Sequence, residues 1–337
     1  MRDVLFDIQR WRSERRSIAL ATVVETWGSA PRAAGGKMAV SGDGRISGSV
    51  SGGCVENAVV EAAQKTLASG VPELLHFGVS DDTAWSVGLA CGGTIEVFVE
   101  PLDEEIFDPV RDALLRERPA AVATVIRGPD SELGRKVALF ADGRTAGAVD
   151  DAAIAAARAA LAQGVSGRVR LGETELFVDV LLPSPRMVIV GGVHVGIPLV
   201  SLAKTLGFRT IVVDPRESFA NANRFPHADE LVHDWPDAAL ANLGVNSSTA
   251  IAVLTHDPKL DDPALTAALR SPAFYVGALG SRRTHEKRRE RLLAAGVTEE
   301  ELARLHAPIG LPLGGRSPEE IALAIVAQVV ALRNEPA

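Results

Sequence analysis

Two cysteines, each beside a pair of glycines, are the residues of this chain best suited to carry chemistry. Cys54 follows Gly52 and Gly53 where a helix is expected to begin. There, free backbone amides and the positive helix end would lower a thiol pKa from its unperturbed value of ~8.5. The plainer alternative is a small cysteine packing the helix start. Cys91 precedes Gly92 and Gly93, and two thiols in glycine-rich loops could face one soft metal or a sulfur-bearing ligand. Structural zinc is a poor fit, because two cysteines without histidines at finger spacing fall short of four ligands. Ser51, Gly52 and Gly53 complete the turn before Cys54, and Arg32, in Gly28–Arg32 (GSAPR), could meet an anion or simply be solvated.

A second set of candidates lies in the carboxyl-terminal half. Val188–Gly196 (VIVGGVHVG) follows an apolar run and opens a helix, with Asp214 ending the next strand, the context in which a glycine-rich loop binds dinucleotides. Gly191 and Gly196 fit the first and third positions of G-x-G-x-x-G, but Val193 replaces the second glycine, where a side chain obstructs the approach of pyrophosphate. Gly192 and His194 share this loop. His256 and Asp257 follow an apolar strand at the edge where such sheets bind ligands, although a capping Asp beside a surface His reads equally well. Gly280, Ser281 and Arg282 end the last expected strand and start a helix, whose amides could cradle phosphate.

The elements that position these residues can be read from periodicity and repetition. Ala19–Val24 (ALATVV) matches Ala121–Ile126 (AVATVI), and Lys37–Val50 matches Lys136–Val149 around a shared DGR turn. Each is followed by an alanine-rich helix ending at a glycine and by closing strands, so residues 1–182 read as an α+β domain with an internal repeat, about 18–101 and 120–182. The first copy alone carries the polar additions, around both cysteines, and the second reads as a structural partner. Beyond Pro183-Ser184-Pro185 the pattern alternates strand and helix. The fold class is therefore α/β, with a Rossmann-like doubly wound parallel sheet over 186–334. Its strands are expected at 187–190, 210–213, 230–233, 250–254 and 274–277, and helices at 197–206, 263–269 and 282–295. A last helix is signalled by Ser317, Pro318 and Glu320 in a capping box.

The bulk properties narrow the function. A length of 337 residues suits two domains, and 47% hydrophobic with 23% charged residues is the composition of a globular protein. A net charge of −8 and only 4% aromatic residues argue against nucleic acid. The first sixteen residues mix charge signs without a long apolar core, so neither a signal peptide nor a membrane span is expected; the chain is expected in the cytoplasm with free thiols.

The motifs Gly28–Arg32 (GSAPR), Gly48–Glu56 (GSVSGGCVE), Cys91–Gly93, Val212–Arg216 (VVDPR), Leu254–Asp257 (LTHD), Gly277–Thr284 (GALGSRRT), Pro308–Gly315 (PIGLPLGG) and Ser317–Ala322 (SPEEIA) occur in that order. Through them the chain resembles the XdhC/CoxI family of molybdenum-enzyme maturation proteins along nearly its whole length. That resemblance implies a xanthine dehydrogenase accessory factor rather than a catalyst. It would bind the molybdenum cofactor as cargo, protect it, assist its sulfuration and insert it into a xanthine dehydrogenase-type molybdenum hydroxylase. It also implies a cysteine desulfurase as a partner, leaves a homodimer open, and places Cys54 and Cys91 at the cofactor and its metal. The glycine loop departs from the family's fuller G-x-G-x-x-G, so NAD(P) is not expected. The competing reading is an NAD(P)-dependent Rossmann oxidoreductase.

Overall fold

The computed structural model describes residues 1–28, 32–78, 93–147 and 150–334. They form two units, Met1–Pro183 and Ser184–Ala337. Among the described residues no helix is long and apolar enough to cross a membrane.

In the first unit the chain builds the same layout twice. Helix α1 (Arg2–Ser13) leads into β1 (Ile18–Trp27), β2 (Lys37–Ser41), β3 (Ile46–Gly48), α2 (Glu56–Ser69), β4 (Glu73–Phe77) and β5 (Thr94–Pro101). Helix α3 (Glu104–Leu115) then leads into β6 (Ala120–Arg127), β7 (Lys136–Phe140), β8 (Thr145–Gly147), α4 (Asp151–Gln163), β9 (Gly167–Leu171) and β10 (Thr174–Leu181). The sheets have corresponding antiparallel orders, β3-β2-β1-β5-β4 and β8-β7-β6-β10-β9. Thr22 sits opposite Lys37 in one and Thr124 opposite Lys136 in the other. The structural repeat reaches further back than 18 and 120, taking in α1 and α3. A Cβ on Gly48 would lie 2.6 Å from Val4 of α1, and one on Gly147 would lie 2.6 Å from Ile106 of α3. Only glycine lets the leading helix close on each sheet there.

One face of each sheet buries its own helix: Val59, Ala62 and Ala63 of α2 pack on the first, Ala153 and Ala157 of α4 on the second. The small alanines bring helix and sheet backbones close, as expected for a tightly packed layer. Between the two sheets lies a small apolar cluster, Val24 and Phe98 against Ile126 and Phe177, in which each residue has its repeat counterpart. Two buried ion pairs flank it. Lys37 of the first copy reaches Asp179 of the second at 2.8 Å, and Lys136 of the second reaches Glu100 of the first at 2.6 Å. Lys37 also donates to Thr22 Oγ1 at 2.9 Å. A cavity of about 50 Å³ remains among these groups.

The second unit is a six-stranded parallel sheet of order β13-β12-β11-β14-β15-β16, the doubly wound 3-2-1-4-5-6 arrangement. Its strands are β11 (Arg186–Val190), β12 (Arg209–Val213), β13 (Glu230–Val232), β14 (Thr249–Val253), β15 (Tyr275–Ala278) and β16 (Leu305–His306). Helices α5 (Gly196–Thr205) and α10 (Pro318–Arg333) cover one face, while α6 (Pro236–Asn242), α7 (Pro258–Arg270) and α8 (Arg282–Ala294) cover the other. Short α9 (Glu299–Ala303) precedes β16. Helix α7 begins five residues before its expected start, because Asp257 caps it and Pro258 takes the first helical position. The capping box of Ser317 and Glu320 opens α10 as read from the sequence.

The crossed ion pairs give a test. Glu100→Leu or Lys136→Met alone should destabilise the protein by ~3–5 kcal/mol, because one buried charge loses its partner, whereas the double variant should recover most of that loss. Denaturant midpoints of the three variants and the parent decide it; a double variant as unstable as the sum of the singles would refute the pairing.

Candidate functional site

The Ser51–Cys54 turn is held from below by Glu56. Its carboxylate accepts from the Ser49 hydroxyl at 2.6 Å, the Ser51 hydroxyl at 2.6 Å, and the amides of Ser51 and Gly53 at 2.9 Å each. The amides of Val50 and Val55 add longer contacts at 3.3 and 3.2 Å. The Ser51 hydroxyl in turn accepts from the amides of Cys54 and Val55, at 3.0 and 3.1 Å. Burial alone would raise the pKa of Glu56, but the hydroxyls of Ser49 and Ser51 and the Ser51 amide more than reverse that and bring it to about 2.

Several donors that could have served an external anion are therefore committed to a carboxylate of the chain itself. Cys54 is a free thiol, partly buried, and packs against the core under α2. Both sequence readings of it thus have structural content: it packs the helix start, and it retains access to solvent. Gly52 and Gly53 are exposed with φ of +78° and +122°, and among the described residues no atom lies within 4 Å of a Cβ placed on Gly53.

Arg32 is brought to the same turn. Its Nε donates to the Ser49 carbonyl at 3.0 Å and its Nη2 to Asp3 of α1 at 2.6 Å, so it ties the turn to the first helix. Cys91 and Gly92 lie outside the described residues. Among the described residues no group of three or more histidine, cysteine or carboxylate side chains could hold a metal ion. At the far end of β4 and β5, Glu96 accepts from His76 Nδ1 at 3.1 Å and from Arg127 and Arg168, both of the second copy. The arginines, His76 and hydrogen bonding hold its carboxyl below the ordinary range despite burial. Sequence spacing gave no hint of this junction, since its members are far apart in the chain.

In the second unit Gly191 and Gly192 follow β11, as the fingerprint requires, yet protein rather than open space lies against them. A Cβ on Gly191 would meet Thr255 Cγ2 at 2.4 Å, and one on Gly192 would meet the Phe219 carbonyl at 2.5 Å. The Gly192 amide donates to Asp214 at 2.8 Å. Asp214 is also gripped by Arg216 through Nε and Nη2, both at 2.8 Å, and Arg216 stacks 3.9 Å from the Phe219 ring centre. Burial works against ionisation of Asp214, but Arg216 and the Gly192 amide hold its pKa below the usual range.

Val193, the residue to which the sequence assigns the obstruction, is half-buried and packs against the core that includes α5, and the Phe219 carbonyl lies beside Gly192. His194 and His256 are exposed, and Asp257 accepts from the Lys259 amide at 3.0 Å, capping α7. Ser281 caps α8 through the Thr284 amide at 3.2 Å, and Gly280 and Arg282 flank it.

A doubly wound 3-2-1-4-5-6 unit combined with a duplicated α+β unit that bears a Gly-Gly-Cys turn defines a two-part protein with a Rossmann-like half. Residues 187–329 match the XdhC Rossmann domain, and residues 11–78 match the XdhC and CoxI family. The chain belongs to the XdhC and CoxI family. It is 29% identical over 336 residues to a probable xanthine dehydrogenase subunit of Bacillus subtilis, covering 96% of both chains. It is 28% identical over 320 residues to the molybdenum cofactor insertion chaperone PaoD of Escherichia coli, covering 94% of this chain and 84% of that one. A crystal structure named as a xanthine dehydrogenase from Bacillus halodurans superposes with a TM-score of 0.81 at 26% identity, covering 98% of this chain and 96% of that one.

The Glu56 cradle predicts a pH signature. Because its carboxyl titrates lower when folded, the stability it adds is full above its ordinary value near 4.5 and disappears as pH falls through about 2. Relative to the parent, Glu56→Gln should lose on the order of 1–2 kcal/mol at neutral pH, after allowing for solvent screening, with the gap closing in acid. In a Cys91→Ser background the variant should also expose Cys54 to faster iodoacetamide alkylation. Equal stability across the pH range together with an unchanged alkylation rate would show that the cradle does not hold the turn.

Proposed function

We propose that this protein carries the molybdenum cofactor as cargo, protects it, assists its sulfuration and inserts it into a xanthine dehydrogenase-type molybdenum hydroxylase, with a cysteine desulfurase supplying the sulfur. The single observation that carries this reading is the fixed, partly exposed Cys54 thiol on a glycine-lined turn, in a chain similar over almost its full length to a molybdenum cofactor insertion chaperone. The cargo combines a metal with oxo and sulfido ligands, a dithiolene, a hydrogen-bonding pterin and a phosphate. A thiol suits the soft metal and its sulfur. Exposed Gly52 and Gly53 let a planar ligand approach the backbone, and Arg32 supports the turn through Ser49. Cys91 and Gly92 would add a second thiol and further backbone donors.

In the Rossmann half, the proposed cofactor contacts are Gly191, Gly192, His194, Asp214, His256, Asp257, Gly280, Ser281 and Arg282. This half is not proposed to take NAD(P). The Asp214 carboxylate that would receive a ribose is held by Arg216, and the Phe219 carbonyl lies over Gly192.

Cys54→Ala should retain the fold, with little packing lost, and bind isolated cofactor more weakly than the parent. Fluorescence titration of the pterin with circular dichroism as a fold control measures this; unchanged affinity would remove the thiol from the site. In cells, deletion of the gene should leave the partner hydroxylase assembled but low in activity and in cyanolysable sulfur, and normal values of both would overturn the maturation role.

NAD and NADP should bind no more tightly than roughly millimolar. Val193→Gly should not improve this, because the Phe219 carbonyl remains in place. Calorimetry giving micromolar affinity for either protein would favour the oxidoreductase reading.

A further inference from the structure

The first turn of α8, where Gly280, Ser281 and Arg282 stand among the proposed cofactor contacts, has a chemistry of its own that points to one part of a ligand. Helix α8 runs thirteen residues, Arg282–Ala294, with Ser281 as its cap. Ser281 engages the Thr284 amide, whereas the amides of Arg282 and Arg283 find no acceptor among the described residues. The side chains of Arg282 and Arg283 are exposed and likewise form no hydrogen bond or ion pair there. Cations at the positive end of a helix are unfavourable unless an anion joins them.

An independent observation lies beneath this turn. Arg288 is only 1% exposed, and its Nε and Nη1 have no hydrogen-bond partner among the described residues, although Nη2 is satisfied by Asp261 and the Leu279 carbonyl, each at 2.9 Å. Its side chain runs back along the helix, as long helical side chains do, to the first turn. There Nη1 lies 3.6 Å from the point a Cβ on Gly280 would occupy. Buried donors left without acceptors are uncommon in a folded protein and call for an explanation. His285 Nδ1, in the same stretch, is likewise buried without a partner among the described residues. Burial and the charges of Arg288 and Arg289 hold its pKa below the ordinary histidine range.

We propose that Gly280–Thr284 forms a binding site for a phosphate monoester, in which the amides and side chains of Arg282 and Arg283 hold the phosphate oxygens and Arg288 stands beneath as a fixed, buried cation. Free amides at a helix start with nearby arginines match a tetrahedral dianion in both geometry and charge. An ester rather than only free phosphate is favoured by exposure: Ser281, Arg282, Arg283 and Thr284 are all open to solvent, leaving room for whatever the phosphate is attached to. Arg288 is a positioning residue: it holds the turn from beneath through the Leu279 carbonyl, and Asp261 balances its charge. The phosphate site deepens the cofactor reading, which already places Gly280, Ser281 and Arg282 among the contacts, and rests on it for what the phosphate is attached to. Cys54→Ala should leave ester binding here unchanged, so a failure of the thiol site and a failure of this one are distinguishable.

Isothermal titration of the intact protein with ribose 5-phosphate and, separately, with inorganic phosphate tests the assignment. The ester should bind saturably and at least as tightly as free phosphate. Removing Arg282 and Arg283 together (R282A/R283A) should weaken it about tenfold or more, the loss expected for charge-assisted contacts. Removing two other cations of the same helix (R289A/R291A) should leave affinity within a factor of about two, as expected for screened, more distant charges. The imidazole resonances of His285 should also report a raised pKa when the ester is bound. No saturation at concentrations on the order of 10 mM, equal losses in both double variants, or binding of free phosphate with exclusion of the ester would each overturn the proposal.

Discussion

The crossed ion pairs between the two sheets of the first unit constrain everything else in that unit. Lys37 finds Asp179 and Lys136 finds Glu100, so each copy of the repeat supplies the counter-ion for the other's buried lysine. The desolvation of four charged groups makes such pairs a weak source of net stability compared with apolar packing. Their effect is to penalise alternatives: a sheet that slipped by one residue would turn its lysine to the other face, and a copy standing alone would bury a charge without a partner. The apolar cluster of Val24, Phe98, Ile126 and Phe177 fills the space that the pairs define. The second copy is thus required by the first even though it lacks the thiol turn.

Symmetry in the core permits asymmetry at the helix starts. In the second copy, Asp150 caps α4 directly, accepting from the Ala153 amide at 2.8 Å. In the first, the cap is distributed over Ser51 and Glu56, which bind the amides of a longer, glycine-containing turn. The chain length gained in that way leaves Cys54 half-buried at the rim of the core without leaving the helix start unsatisfied. At the corresponding end of the second copy, Asp150, Glu132, Arg135 and Thr174 border a groove of about 230 Å³ that has no thiol. A packed copy and an elaborated copy share one scaffold, and the difference lies in how each satisfies the first turn of its helix.

The parts of this structure that were legible in the sequence are those governed by short-range rules. The duplicated ALATVV and AVATVI strands, the DGR turns, the capping box at Ser317 and the buried parallel strands all announce themselves within a few residues. Leu305–His306, by contrast, is a two-residue strand and leaves no period to detect. The leading helices α1 and α3 share little beyond apolar residues at matched places, Val4 and Ile106, so their equivalence emerges only in their contacts with Gly48 and Gly147. Glu56 was visible as part of the Cys54 motif, but its role depends on a turn closing back over it. Arg216, Phe219 and Arg288 act across loops, and spacing along the chain carries no trace of such meetings.

The glycine-rich loop shows why a fingerprint reports a physical condition more than a ligand. A glycine at such a turn means that something approaches closer than a Cβ would allow. In dinucleotide-binding proteins that something is pyrophosphate, whereas here Thr255 and the Phe219 carbonyl take the positions beside Gly191 and Gly192. Asp214 follows the same logic, with Arg216 and the Gly192 amide as its partners. On the side where a Cβ would stand, both glycines are thus packed against the chain's own groups. Unpaired donors lie instead further along the same edge, after β15, where Arg282 and Arg283 open α8 over a buried arginine. The site proposed at the start of α8 is argued from hydrogen-bonding capacity that is left over, and it is the pairing of each donor, beyond the motif, that points to it.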